Sequence, residues 1–234
     1  GGGSVFSRQT LLRWEAKTGL PILEAFGMTE GGPLTAQPLD GSHKYGTAGL
    51  PLPGIEVAIA ALDGSGKRLD PNENGEILIR GERVIEQYMG LPPCADDGWL
   101  PTGDIGCLTS DGFLTVVDRK KDMLIVAGFN VYPSEIEEVI SQVPEVTDVA
   151  VISVPDDRKG EVPFAFVAID QGAGITEKKL LSHCAEHLTH YKIPRAIVLL
   201  DELPKTPARK PDKKKIEALA RDFLRKQGNQ ATAK

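Results

Sequence analysis

Cysteine is scarce in this sequence. Cys94, Cys107 and Cys184 stand alone along 234 residues, an odd number too widely spaced for a disulfide framework or a four-thiolate zinc site. A reducing, cytoplasmic setting is therefore expected. Long apolar runs are missing as well. None approaches the ~18 residues of a membrane-spanning helix, so no transmembrane segment is expected, although peripheral contact with a membrane stays open. The opening Gly1-Gly2-Gly3-Ser4 has neither the basic flank nor the apolar stretch of a signal peptide. Internal repeats are lacking, and no low-complexity tract precedes the last few residues. Positive charge is short: 27 Lys plus Arg against 33 Asp plus Glu give a net −6. From Asp201 onward, 10 basic and 5 acidic residues make the tail +5, so the preceding 200 residues carry −11. An acidic body excludes a general nucleic-acid binder, which is basic over a whole domain. A basic tail suits a local anionic ligand or a solvated helix.

What is present is ordinary globular material, 41% hydrophobic and 26% charged, enough to exclude disorder over most of the length. Gln9 to Lys17 reads as a helix ending near Gly19, and Pro21 to Ala25 as a short buried strand running into Gly27-Met28-Thr29-Glu30-Gly31-Gly32. Two antiparallel pairs follow. Ile55–Leu62 and Gly75–Arg80 flank an Asp63-Gly64-Ser65-Gly66 turn, and Asp104–Thr109 and Phe113–Asp118 flank Ser110-Asp111-Gly112. The charged run Arg119-Lys120-Lys121-Asp122 breaks the β pattern, which places a domain boundary at Asp118/Arg119. Beyond it, strands are predicted at Met123–Val126, Val146–Val154, Pro163–Asp170 and Ala196–Leu200. A helix spans Thr176–Leu188, and another opens with the capping box Ser134-Glu135-Ile136-Glu137. This alternation means a small α/β or α+β domain.

Five segments carry a family resemblance, in order: Phe26-Gly-Met-Thr-Glu30; Gly75-Glu-Ile-Leu-Ile-Arg-Gly81; Gly98-Trp-Leu-Pro-Thr-Gly-Asp104; Asp118 through Glu137; and Leu203-Pro-Lys-Thr-Pro-Ala-Arg-Lys210. Each is short, but together they span nearly the whole chain. They resemble the signature blocks of adenylate-forming acyl-CoA synthetases, and the fourth most resembles bacterial long-chain fatty acyl-CoA ligases. The resemblance implies activation of a carboxylic, here fatty, acid with ATP and Mg²⁺ to an acyl-adenylate, then transfer to the thiol of coenzyme A. The implied fold is the end of a large adenylating domain (1–118, with a small β-barrel-like subdomain) followed by a complete, mobile C-terminal lid domain (119–234).

The resemblance also assigns residues. Thr29 would contact phosphate and Glu30 would help hold Mg²⁺. Phe26 would stack on the adenine, Gly27 and Met28 would belong to the nucleotide-binding residues, and the loop containing Gly2 and Gly3 would line the purine. Asp104 would accept from both ribose hydroxyls, with Arg119 near the ribose and phosphate. Lys210 would touch the substrate carboxylate and α-phosphate during adenylation. Lys121 would be the hinge, and Ala127-Gly128-Phe129 would line the channel for coenzyme A. Taken alone, Thr29-Glu30 also reads as a capped turn, Asp104 as a turn aspartate, Arg119 as a surface arginine and Lys121 as a solvated loop residue. Arg209 stands where glycine is usual, and Lys213-Lys214-Lys215 reads as a solvated helix face. His183, His187 and His190 have helical spacing but lack a Glu-x-x-His partner, so no metal is expected there, and Cys184 reads as packing.

The family's phosphate-gripping loop, rich in Ser, Thr and Gly and ending in Lys, is absent from these 234 residues. The sequence is therefore read as a C-terminal fragment, inactive in adenylation by itself. Two alternatives stay open: a non-catalytic nucleotide- or CoA-binding remnant, and an adenylation domain that loads a carrier protein.

Overall fold

The computed structural model describes residues 8–94, 97–170, 172, 174–207 and 209–231. Two compact units, Gly1–Lys121 and Asp122–Lys234, meet three residues beyond the boundary expected from composition. In the first, α1 (Arg8–Thr18) precedes β1 (Ala25–Met28), β2 (Gly32–Ala36) and β3 (Leu50–Pro51), an antiparallel three-stranded sheet. The strand expected over Pro21–Ala25 starts only at Ala25. Pro21 has no amide hydrogen to give a ladder, and it is Ala25 that first pairs across to Ala36. Next come β4 (Ile55–Ala60), β5 (Gly75–Gly81), β6 (Leu100–Leu108) and β7 (Leu114–Arg119), an antiparallel meander in chain order. It is an open sheet, with β4 and β7 as its edges. Ile55, Ile59, Ile77, Ile79, Leu100 and Leu114 bury one face together with Leu34 of β2. At ~1.5–3 kcal/mol for each large side chain removed from water, this cluster holds the unit together.

A 3-10 turn, Lys120–Asp122, with no buried residue, leads out of the meander. The second unit contains β8 (Leu124–Val126), β9 (Phe129–Val131), α2 (Pro133–Ser141), β10 (Val146–Asp156), β11 (Gly160–Ile169), α3 (Glu177–His187), β12 (Ile197–Leu200) and α4 (Lys213–Ala231). Its sheet runs β10-β11-β8-β9, with β12 added parallel to β11. Side chains alternate along the two long strands as the pleat demands. Val151, Ala165 and Val167 join one core with Ile136, Ile140, Leu180 and Cys184 of α2 and α3. Ala150, Ile152, Val154, Phe164 and Phe166 join another with Ile216 and Ala220 of α4. A sheet covered on both faces explains why both strands read as near-continuous apolar runs. Cys184 is wholly buried, as its packing role required.

Helix starts divide. Thr176 caps α3, its hydroxyl accepting from the Lys179 amide at 3.3 Å. The box proposed for α2 shifts: Tyr132 is the N-cap, Pro133 takes the first turn and Ser134 lies inside the helix. Proline is preorganised for that first position, and the Glu137 carboxylate accepts from the Val151 amide of β10 at 2.8 Å. Among the described residues, no helix is long and apolar enough to cross a membrane.

Candidate functional site

Thr29, Glu30 and Gly31 form the tip of the β1–β2 hairpin, closed by the Met28↔Gly32 pair and by the Gly31 amide donating to the Met28 carbonyl at 3.2 Å. The tip exposes Thr29 and half-buries Glu30. Glu30 is fixed at both ends. Its carbonyl accepts from the Ile85 amide at 2.8 Å, and its Oε1 accepts from the Tyr88 hydroxyl at 2.8 Å. That bond is the main reason the Tyr88 phenol's pKa is raised, with burial adding to it. A carboxylate offers two oxygens and about four acceptor sites, so Glu30 keeps capacity for a hard cation such as Mg²⁺, which suits one or two carboxylates plus water and phosphate oxygens. Phe26 and Met28 are half-buried against the core of this unit, anchoring the strand that presents the tip, and Gly27 is exposed. Gly2 and Gly3 lie outside the described residues.

Asp104 is aimed by its own motif. The Thr102 hydroxyl donates to the Ile77 carbonyl at 2.8 Å and accepts from the Asp104 amide at 3.1 Å. Gly103 between them sits at φ +73°, a left-handed conformation that glycine adopts without strain. In the ladder, Asp104 faces Arg119, and Arg119 Nε lies 3.5 Å from Asp104 Oδ1. Asp104's side chain is 17% exposed while the guanidinium is 61% exposed, so the carboxylate is sheltered and the cation projects outward. Both expected ribose and phosphate contacts are thereby brought to one place.

Lys210 and Arg209 are exposed on a tight turn that leads toward α4. Thr206 and Lys210 close it: the Thr206 amide donates to the Lys210 carbonyl at 2.8 Å, the Arg209 amide donates to the Thr206 carbonyl at 2.8 Å, and Lys205 bridges to Pro211. Arg209 takes φ +60°. The usual glycine therefore has a physical reason, and arginine here is held in a strained conformation. Of the lysine run, Lys214 and Lys215 are exposed, whereas Lys213 pairs with Asp122 at 2.8 Å.

Ala127 and Gly128 form the two-residue connection of β8 and β9, between the paired Val126 and Phe129. Both have positive φ, +50° and +87°, as a type I′ hairpin requires. The Ala127 amide donates to the Lys159 carbonyl at 2.9 Å. Phe129 is 54% exposed and stacks on Tyr191 with ring centroids 4.6 Å apart. The neighbouring Lys192 donates to both carboxylate oxygens of Glu135 at 2.6 and 2.7 Å.

Asp104 and Arg119 thus meet, and the Thr29–Glu30 tip stands in the same unit. Lys210 and residues 127–129 belong to the other unit, on loops flanked by different cores: Leu203 and Ile216 beside Lys210, Val126 and Val131 beside Gly128. Lys121 is exposed within the 3-10 turn. Sequence reasoning missed Tyr88 and Tyr191. A lone aromatic in the Pro- and Gly-rich segment 84–98 was the only signal for Tyr88, and an aromatic beside the 3-10 turn His190–Lys192 the only one for Tyr191.

Residues 1–89 match the AMP-binding enzyme family, and residues 135–210 match the AMP-binding enzyme C-terminal domain. The chain belongs to the AMP-binding, adenylate-forming enzyme family. Among its relatives, the long-chain-fatty-acid–CoA ligase of Yersinia pestis is 44% identical over 211 residues, covering 88% of this chain and 37% of that protein. The 2-succinylbenzoate–CoA ligase of Geobacillus kaustophilus is 38% identical, covering 94% of this chain and 45% of its own length. ATP-bound MatB from Rhodopseudomonas palustris superposes with a TM-score of 0.89 at 34% identity, over 95% of this chain and 45% of that one. The chain thus spans less than half the length of these relatives, and the adenylate-forming fold extends over nearly all of it.

Proposed function

We propose that this chain is the C-terminal part of an acyl-CoA synthetase, comprising the end of the adenylating domain and its lid. In the first half-reaction, a carboxylate oxygen attacks the α-phosphorus of ATP, an acyl-adenylate forms and pyrophosphate leaves. In the second, the thiol of coenzyme A attacks the acyl carbon, a thioester forms, the thiol proton is lost and AMP leaves. The Asp104–Arg119 pair carries the reading. A sheltered carboxylate can accept from two vicinal hydroxyls, and an exposed guanidinium beside it can meet a phosphate. Hydrogen bonds to a charged acceptor contribute ~1.5–3 kcal/mol each. Thr29 and Glu30 bind at the phosphates, where a bound Mg²⁺ would neutralise charge on the phosphate oxygens. Lys210 stabilises the negative charge that builds on the α-phosphate. The turn at Ala127-Gly128-Phe129 borders the path of the coenzyme A thiol, and Tyr191 backs Phe129.

A fatty acid is the first substrate to test, because the Yersinia relative bears that name and the Asp118–Glu137 block most resembles bacterial long-chain fatty acyl-CoA ligases. The 2-succinylbenzoate relative shows that the family resemblance alone does not choose the acid. The expected outcome is that residues 1–234 alone give no fatty-acid-dependent pyrophosphate–ATP exchange, since no Ser/Thr/Gly-rich phosphate loop is present. The chain joined to an upstream segment bearing that loop gives exchange, and Asp104→Ala in that longer protein weakens it at least ~10-fold, the loss of about one charged hydrogen bond. Exchange unaffected by Asp104→Ala would overturn the assignment of this pair.

A further inference from the structure

We propose that His183, Glu186 and His187 form a binding site for a divalent transition metal, Zn²⁺ in the first instance, on the last turns of α3. One ligand atom from each lies within 4.8 Å of the others. The i, i+3, i+4 spacing puts the three on one helical face. His190, the third histidine of the sequence pattern, is not part of the group, because α3 ends at His187 and His190 opens a separate 3-10 turn. The acid comes instead from between the two histidines, where a search for Glu-x-x-His does not look.

A second observation points to a ligand. His183 Nε2 lies 3.0 Å from the Val139 carbonyl of α2, and His187 Nδ1 lies 2.8 Å from the His183 carbonyl. A carbonyl only accepts, so each of these nitrogens carries the proton. The other nitrogen of each neutral ring, Nδ1 of His183 and Nε2 of His187, then holds a lone pair. Metal-bound histidines share this arrangement: the far N–H donates to a backbone carbonyl or carboxylate, which fixes the tautomer and the ring. The two rings already lie close, with centroids 4.3 Å apart. Zn–N bonds of ~2.0–2.1 Å in a tetrahedral shell put donor atoms roughly 3.3 Å apart, within the 4.8 Å that bounds the present spacing. Glu186 and His187 are exposed and His183 is half-buried, so His187 and Glu186 can swing toward the anchored His183. Two imidazoles and a carboxylate suit Zn²⁺, Cu²⁺ or Ni²⁺ over Mg²⁺ or Ca²⁺, with water completing the shell. The site lies on the second unit and is independent of the nucleotide reading.

The test is titration of the 234-residue chain with Zn²⁺, read by calorimetry and by thermal stability, and with Co²⁺ as a spectroscopic probe. One metal per chain is expected, with a rise in melting temperature that EDTA reverses. His187→Ala is the decisive variant because the residue is exposed. It should weaken binding at least tenfold, Glu186→Gln should weaken it several-fold, and His190→Ala should leave it unchanged. His183→Ala is informative only with its fold verified by circular dichroism, since it also removes the tie to α2. Cobalt bands should show nitrogen and oxygen ligation with no thiolate charge transfer. Absence of saturable binding, binding indifferent to His187→Ala, or a thiolate band would each overturn the site.

Discussion

Replacing Arg209 with glycine should stabilise the second unit. Arg209 sits at φ +60° in the turn that carries Lys210, and an L side chain in the left-handed region costs ~1–2 kcal/mol. Glycine removes that cost but adds backbone freedom to the unfolded chain, which opposes folding by ~0.4–1 kcal/mol. The difference favours Arg209→Gly by about 0.5–1 kcal/mol. For a unit of about a hundred residues, this corresponds to a melting temperature roughly 2–8 °C higher. Arg209→Ala separates strain from charge: it removes the exposed guanidinium but keeps the strain, so its stability should stay within about 0.5 kcal/mol of the parent. The probe must report on the right unit. Both tryptophans, Trp14 and Trp99, lie in the first unit, so indole fluorescence would miss the effect. Hydrogen exchange of the β10 and β11 amides reports it directly. A lower stability for Arg209→Gly, or equal gains for glycine and alanine, would refute the strain argument. If glycine stabilises yet slows adenylation in a longer enzyme, the arginine is retained for its charge beside Lys210.

Phe164→Ala should destabilise the second unit by ~3–5 kcal/mol, because the ring is 1% exposed and packs against Phe166 and Phe223; urea unfolding measures it. Burial pushes the Cys184 thiol up to about 11, so only about one molecule in a thousand carries its thiolate at pH 8. Iodoacetamide at that pH should spare Cys184 in the folded chain and label it in urea, as mass spectrometry would show; labelling of the folded protein at an ordinary thiol rate would contradict the burial. Lys121→Pro restricts φ at the junction and also limits Lys120. In a longer enzyme it should leave pyrophosphate–ATP exchange largely intact and slow acyl transfer to coenzyme A severely; unchanged transfer at normal stability would rule out the hinge.

Strands with both faces covered were legible because their signal is local. Val149-Ala150-Val151-Ile152 and Phe164-Ala165-Phe166-Val167 are apolar throughout, and the pleat alone decides which residue meets α4 and which meets α2 and α3. Thr176 was legible as a cap for the same reason, since its partner amide is three residues away. The α2 start was misplaced because Pro133 takes the first turn, which puts Ser134 inside the helix, and the Glu137 carboxylate also reaches a strand amide fourteen residues away. Contacts within the candidate site were hidden similarly. Asp104 meets Arg119 only through a ladder whose register shifts between Ile105 and Gly106, and Tyr88 reaches Glu30 across 58 residues. The family blocks nominated the candidate residues. They did not reveal that Thr102 aims Asp104 or that Tyr88 holds Glu30, because those jobs belong to side chains whose partners are set by the fold.

The hinge we propose at Lys121 has physical support that its neighbours in the charged run lack. Lys120 pairs with Glu76 of the first unit at 2.6 Å, and Asp122 pairs with Lys213 of the second at 2.8 Å. Each neighbour of Lys121 is therefore tied back into its own unit, and no residue of the turn is buried. A change of φ and ψ at Lys121 breaks neither pair, since each moves with the unit that contains both partners. Partly exposed pairs of this kind contribute ~0–1 kcal/mol, too little to decide an orientation. The second unit would give the proposed rotation a purpose. Its lysine turn and its Ala127–Gly128 turn are flanked by cores on opposite faces of one sheet, and a rigid sheet brings either turn to a given point in space only by turning as a whole.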